Sequence, residues 1–309
     1  MNFCYKTAKP VYFWPLCLVF IIVLFGQAFA QTTPVAPSAQ PQPTPRPTTE
    51  KNFFSNILRD QKGIWTAPFH VHQSDAKWLT PLVLATGALI VTDRRTSGAL
   101  VTHGDNLTRL RISKDISYLG TAYATGGTAA LFYIAGRLKH DERAKETGLL
   151  AAEALLDSGI VAQALKVASQ RQRPPVDHSS GEFFDGGSSF PSGHAISAWS
   201  VATVIAEEYG PRHPAVRYGA YALATAVGIS RYTGRKHFLS DVLAGSAMGY
   251  GIGRYVYHQH HDASLDSENG KQTSRLLKSK FFPAVVPNFS RQAHSYGVSL
   301  AWNFRAAPQ

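Results

Sequence analysis

The chain has 309 residues, 44% hydrophobic and 17% charged, enough for one large domain or two small ones. That balance excludes a mostly disordered chain, and the lack of a Gly-X-Y or heptad repeat excludes collagen and coiled coil. Lys and Arg number 31 against 20 Asp and Glu, a net charge of +11. Such a balance favours anionic partners, whether nucleic acid, phospholipid headgroups or phosphorylated substrates.

Residues 1–30 read as a secretory signal. Lys6 and Lys9 give a basic start, Val11 to Phe25 is an uncharged apolar run, and Ala28-Phe29-Ala30 is a small-x-small cleavage site. An uncleaved membrane anchor is the alternative. Either way the protein is expected to be exported, to the periplasm or cell envelope. The only cysteines, Cys4 and Cys17, lie in this stretch, and no lipobox stands at the cleavage site. Cleavage would leave a cysteine-free chain of charge +9, with neither a disulfide nor a thiolate metal site. Residues 31–50 carry six of the 18 prolines and read as an extended, solvated linker. In residues 52–69, Phe53, Phe54, Ile57, Leu58 and Trp65 stand among polar residues. They fit a short amphipathic helix on a membrane surface or a helix packed on the main body.

The body, residues 51–258, reads as all-α, a bundle of about six helices. The segments are Trp78 to Thr92, Ile116 to Gly136, Glu146 to Arg173, His194 to Tyr209, Ala215 to Ser230 and Phe238 to Tyr257. Each is long enough for a helix and none alternates like a strand. Only Ile116–Gly136 reaches the ~20 uncharged residues of a membrane span, so a buried bundle and a membrane bundle both remain open. Gly126, Gly127, Gly245, Gly249 and Gly253 would permit close helix packing in either setting. Residues 259–280 are polar and charged and read as a second linker. His258, His260 and His261 read as part of a polar tail rather than as metal ligands. Residues 281–305 suggest a small C-terminal strand or hairpin. Tyr296, Val298, Leu300, Trp302 and Phe304 alternate with smaller residues, and the stretch Phe282 to Phe289 is the candidate partner, although Pro283 and Pro287 weaken it. A single hairpin cannot make an outer-membrane barrel of eight or more strands.

Three clusters carry chemistry. In the first, Lys166 and Arg173 stand seven apart, placing them on one helix face two turns apart, with Pro174 ending the helix. Arg grips phosphate oxygens as a fork and Lys as a point charge. In the second, Ser189-Phe190-Pro191-Ser192-Gly193-His194 leads into a helix. Ser192 is a candidate N-cap, and Gly193 lets the backbone approach a ligand. Free amides there bind anions, and His194 suits proton transfer to a leaving oxygen. In the third, Ser230-Arg231 precedes His237 and Asp241, an i, i+4 pair on one helical face. A carboxylate on one imidazole nitrogen leaves the other free to attack. Arg231 adds a third anion-gripping cation.

In order and at every fixed position, these clusters match K-x6-R-P, P-S-G-H and S-R-x5-H-x3-D, as Lys166…Arg173-Pro174, Pro191-Ser192-Gly193-His194 and Ser230-Arg231…His237…Asp241. The sequence thereby resembles the type 2 phosphatidic acid phosphatase superfamily, which includes bacterial acid phosphatases and vanadium haloperoxidases. The motifs span residues 166–241, and with flanking helices the resemblance covers roughly residues 75–257. It implies a helical bundle with the motifs gathered at one end. His237 would be the nucleophile that forms a phosphohistidine, Asp241 its orienting group, and His194 the acid for the leaving alkoxide and then the base for water. Lys166, Arg173, Arg231, Ser192 and the Gly193 amide would hold the phosphoryl oxygens.

Three cations can stabilise the transition state without a metal ion or other cofactor, and the clusters lack a carboxylate set for Mg2+. Vanadate is expected to bind as an inhibitor. The expected partner is a phosphorylated lipid or small phosphate ester, at an anionic membrane surface, and not a nucleic acid. The alternatives are a soluble, broad-specificity acid phosphatase, a vanadate-dependent haloperoxidase on the same anion pocket, and a non-enzymatic scaffold. One tension is already visible: a helix N-terminus disfavours the imidazolium that His194 needs.

Overall fold

The computed structural model describes residues 49–73, 75–102, 107–174, 181–266, 284–290 and 295–301. The signal segment 1–30 and nearly all of the proline-rich segment lie outside them. Eight α-helices occur among the described residues. They are α1 (Phe53–Thr66), α2 (Ala76–Thr102), α3 (Leu107–Ser117), α4 (Ala122–Lys139), α5 (Glu142–Ser169), α6 (Gly193–Tyr209), α7 (Pro214–Thr233) and α8 (Leu239–His260). Strands β1 (Ala284–Ser290) and β2 (Ser295–Ala301) pair antiparallel, with Pro287 opposite Val298.

The core forms where α5 meets α4, α6 and α8. Leu150, Ala151 and Ala154 of α5 are fully buried, with Ile196 and Val204 of α6 and Val256 of α8. Small residues set the helix spacing. A Cβ added at Gly245, Gly249 or Gly253 would lie 2.8, 2.4 or 2.5 Å from the carbonyl oxygen of Ser192, Ile196 or Ser200. Each glycine is four residues from the next, as is each carbonyl, so α6 and α8 run parallel along a seam one turn per step. Parallel packing puts the N-termini of α6 and α8 at the same end. Of the five glycines read from the sequence as packing sites, these three are tight. Gly126 makes only ordinary contact and Gly127 faces open space.

Several sequence expectations are corrected. The stretch Ile116–Gly136 is not one helix. It breaks at a 3-10 turn, Tyr118–Gly120, after which Thr121 caps α4 by accepting from the Ala124 N–H. Gly120 is pressed against Val227 and the His194 carbonyl, leaving no space for a side chain. The helix that combines span length with apolarity among the described residues is instead α5, half of it buried. The segment Trp78–Thr92 extends to Thr102, carrying Asp93, Arg94 and Arg95 within the helix. Helix α5 stops at Ser169, where Gln170 takes a left-handed C-cap (φ 45°). Arg173 therefore stands on irregular chain, not on the helix face of Lys166.

Helix α1 packs on the bundle through a mixed face, with Ile57 buried, Ile64 against the core and polar side chains between them. Asn56 donates to Glu153 (3.1 Å), Gln61 donates to Asp157 (2.8 Å), and His260 Nε2–H meets both oxygens of Asp60 at 2.9 and 2.8 Å. Phe54 and Leu58 point outward, each 76% exposed. Other large apolar residues on outer faces include Trp78, Val91, Tyr123, Leu131 and Leu138. The polar-tail reading of the histidines is also corrected. His260 is buried, and His261 lies among Glu146, Glu208 and Asp266 at 3.2 to 3.4 Å. Burial opposes charge on His261, but these carboxylates raise its pKa to about 10.

Candidate active site

Because α6 and α8 run parallel while α5 and α7 run against them, one end of the bundle collects two helix starts and two helix ends. Lys166 lies in the last turn of α5, Arg231 in the last turn of α7, and Gly193 and His194 open α6. Backbone hydrogen bonds stitch the motifs together. Ser192 N–H donates to the Asp241 carbonyl at 3.1 Å, and His237 N–H donates to the Arg231 carbonyl at 3.3 Å. A Cβ on Gly193 would sit 3.2 Å from Lys166 Nζ, so glycine leaves the α6 amides open beside that ammonium, and a side chain there would press the lysine aside.

Ser192 holds the N-cap position, but its side chain makes no capping bond. Its Oγ is buried without a hydrogen-bond partner, as are Nε of Arg173 and Nε of Arg231. Buried polar atoms are normally paired, and here an acceptor-only group such as a phosphoryl anion would pair the two guanidinium atoms. The remaining recorded bond of Arg173 is a long one, Nη2 to Ser188 Oγ at 3.4 Å.

His237 and Asp241 are close, but not as two members of one helical face. Helix α8 begins at Leu239, so His237 precedes it while Asp241 is at the third helical position. The imidazole Nδ1 lies 2.8 Å from the Ser189 carbonyl oxygen and 3.6 Å from Asp241 Oδ2. A carbonyl can only accept, so Nδ1 carries the proton and Nε2 keeps its lone pair. The residue that directly sets the tautomer is therefore Ser189, which the sequence reading quoted without giving it a role. Asp241 acts one step back. Its Oδ2 accepts from Ser189 Oγ at 2.5 Å and from Phe238 N–H at 3.0 Å.

Electrostatics match a site built for an anion. Burial lowers the Lys166 pKa, and Arg173 and Arg231 lower it further. Burial brings Arg231 down to about 10, with Arg173 adding to the effect. His194 falls to about 4, first through burial and then through Arg231, His237, Lys166 and Arg173. Burial also lowers His237, against the opposing pull of Asp241. Burial opposes ionisation of Asp241, but His237, Arg171 and Ser189 outweigh it and hold its carboxyl below the usual range. The arrangement thus presents three cations, two neutral imidazoles and open amides to one place.

Residues 147–265 match the PAP2 superfamily, the superfamily that the three motifs resemble. A 69-residue stretch is 42% identical to the lipid A 1-phosphatase of Porphyromonas gingivalis, covering 22% of this chain and 16% of that protein. Similar solved structures include the first transmembrane PAP2-type phosphatidylglycerolphosphate phosphatase from Bacillus subtilis. It is 24% identical, with a TM-score of 0.46 over 71% of this chain and 96% of that one. LpxE of Aquifex aeolicus is 20% identical, with a TM-score of 0.41 over 52% of this chain and 92% of that one.

Proposed function

We propose that the protein is a metal-independent phosphatase that hydrolyses phosphate monoesters or diphosphates of membrane lipids through a phosphohistidine on His237. The observation that carries this reading is the convergence of Lys166, Arg173 and Arg231 on His194 and on a His237 whose Nε2 is unprotonated. Phosphoryl transfer needs an in-line nucleophile and charge stabilisation of the equatorial oxygens, and three fixed cations supply the latter. The same cations would repel Mg2+.

His237 Nε2 attacks phosphorus, and the bond from phosphorus to the leaving oxygen breaks. His194 gives its proton to that oxygen, then takes one from the water that hydrolyses the phosphohistidine, and inorganic phosphate leaves. Lipid is the favoured substrate class because large apolar side chains such as Phe54, Leu58, Trp78, Val91, Tyr123 and Leu138 stand exposed on the outer faces, an arrangement suited to a membrane. A membrane-associated place in the cell envelope, reached by export through residues 1–30, belongs to this reading. The lipid A phosphatase relative is consistent with it.

The test is His237→Ala together with labelled substrate. Turnover should vanish in the variant, and wild-type protein should carry an acid-labile, base-stable phosphoryl adduct. Near-normal turnover in the variant removes the assignment.

A further inference from the structure

Within the first motif, Arg171 occupies one of the unspecified positions between Lys166 and Arg173. Among the described residues it is the largest side chain that is essentially fully buried, at 1% exposure. Its Nη1 donates to Asp241 Oδ1 and Ser240 Oγ, both at 2.6 Å, its Nη2 to Asp93 Oδ2 at 2.8 Å, and its Nε to the Gly181 carbonyl at 3.2 Å. The rings of Phe183 and Phe238 lie 4.7 and 4.4 Å from the guanidinium carbon. With these contacts the fork has no freedom to swing toward substrate.

Asp93 is the far half of this arrangement. It accepts from the Ser240 hydroxyl and, at 3.3 Å, from the Ser240 N–H. It lies on α2, outside the matched segment 147–265, and is 1% exposed amid largely outward-facing neighbours. Asp241 has Oδ1 fixed by Arg171 and Oδ2 fixed by Ser189 Oγ and Phe238 N–H. Ser189 in turn gives its carbonyl to His237 Nδ1. A continuous chain of bonds therefore runs from Asp93 through Arg171, Asp241 and Ser189 to His237.

We propose that Arg171, held by Asp93, is a positioning residue that locks the Asp241 carboxylate and through Ser189 fixes the tautomer and direction of His237. This rests on the phosphatase reading, with His237 as nucleophile. Arg171 also sets the charge behind the nucleophile, one guanidinium shared between two carboxylates. Removing its charge makes the Asp241–His237 pair bind a proton more readily. Removing the Asp93 charge does the reverse. The other charged or titratable groups facing the pair are Arg173, Arg231, Lys166 and the neutral imidazole of His194, and all stay in place in both variants.

The test compares full-length wild type, Arg171→Met, Arg171→Lys and Asp93→Asn in detergent micelles. One readout is kcat, KM and the pH profile for p-nitrophenyl phosphate. The other is the ring-nitrogen NMR titration of His237, which needs no turnover. In Arg171→Met, kcat should fall roughly 10²-fold with little change in KM. The acid limb and the His237 titration should both move up by about 1 pH unit. Arg171→Lys should recover the titration midpoint but not the full kcat, since it restores charge without the fork. Asp93→Asn should move the midpoint down, and this variant decides the matter if Arg171→Met does not fold. Variants that fold with wild-type midpoints, or midpoints that move the same way in Arg171→Met and Asp93→Asn, overturn the proposal. If wild type is inactive or His237→Ala stays active, the phosphatase reading fails instead, and the titration still decides whether Arg171 and Asp93 position His237.

Discussion

His194 poses a sharp question about protons. Its pKa of about 4 lies some three units below neutral, so on the order of one ring in a thousand is charged at pH 7. That corresponds to roughly 4 kcal/mol to load the proton before it can be given away, trimmed by solvent at this half-buried ring. A bound dianion changes the balance, because it offsets Arg231, Lys166 and Arg173 and offers the imidazolium an acceptor. Anion binding should therefore draw a proton onto His194. Sulfate is a suitable probe, being a tetrahedral dianion that does not itself titrate above pH 4. The sign follows from the free pKa being the lower one. Uptake begins as pH rises above about 4, persists until the pH passes the raised pKa of the complex, and strengthens binding as pH falls within that window. Calorimetry in buffers of different ionisation enthalpy should give close to one proton taken up per sulfate at pH 6, and close to zero in His194→Asn. Equal uptake in the two proteins would show that another group carries the proton, and zero uptake in wild type would refute the linkage.

Activity should survive EDTA and fall with vanadate, whose trigonal-bipyramidal form mimics the transition state; loss with EDTA and recovery with Mg2+ would contradict the three-cation mechanism. Replacing His194 with Asn should slow phosphorylation by an alkyl phosphate far more than by p-nitrophenyl phosphate, leaving a nitrophenolate burst followed by slow turnover in rapid-mixing kinetics. Gly249→Ala should lower stability by about 1–3 kcal/mol, because its Cβ would meet the Ile196 carbonyl at 2.4 Å. Gly127→Ala, in open space on α4, should raise it by about 0.5–1 kcal/mol in the same denaturation assay.

The motifs were legible because their residue types recur at fixed spacing, and the fold brings all three to one end of the bundle. Geometry between motifs was less so. Periodicity suggested that Lys166 and Arg173 share a helix face, but Gln170 turns the chain into a left-handed cap first. It suggested the same for His237 and Asp241, but α8 starts two residues after the histidine. An uncharged run made Ile116–Gly136 look continuous, yet Thr121 recaps the helix after a close approach at Gly120. Asp93 and Arg171 carried a weak signal of their own, a buried-type aspartate within an apolar helix and an extra arginine within the first motif. Only the three-dimensional pairing gives them meaning. His260 looked solvated because its neighbours are polar, whereas its partner Asp60 lies 200 residues upstream.

The seam between α6 and α8 behaves as a mechanical index. Its glycines and carbonyls repeat every four residues, so the nearest alternative seating is about 6 Å along the axis. A Cβ at any of the three glycines would meet an α6 carbonyl oxygen at 2.4 to 2.8 Å, so the rails are held close only where glycine faces carbonyl. Such a joint tolerates no gradual drift. Since His194 rides on one rail and Asp241 on the other, the seating of the two histidines is indexed by notches that begin at Ser192, beside the site, and run two further turns into the bundle.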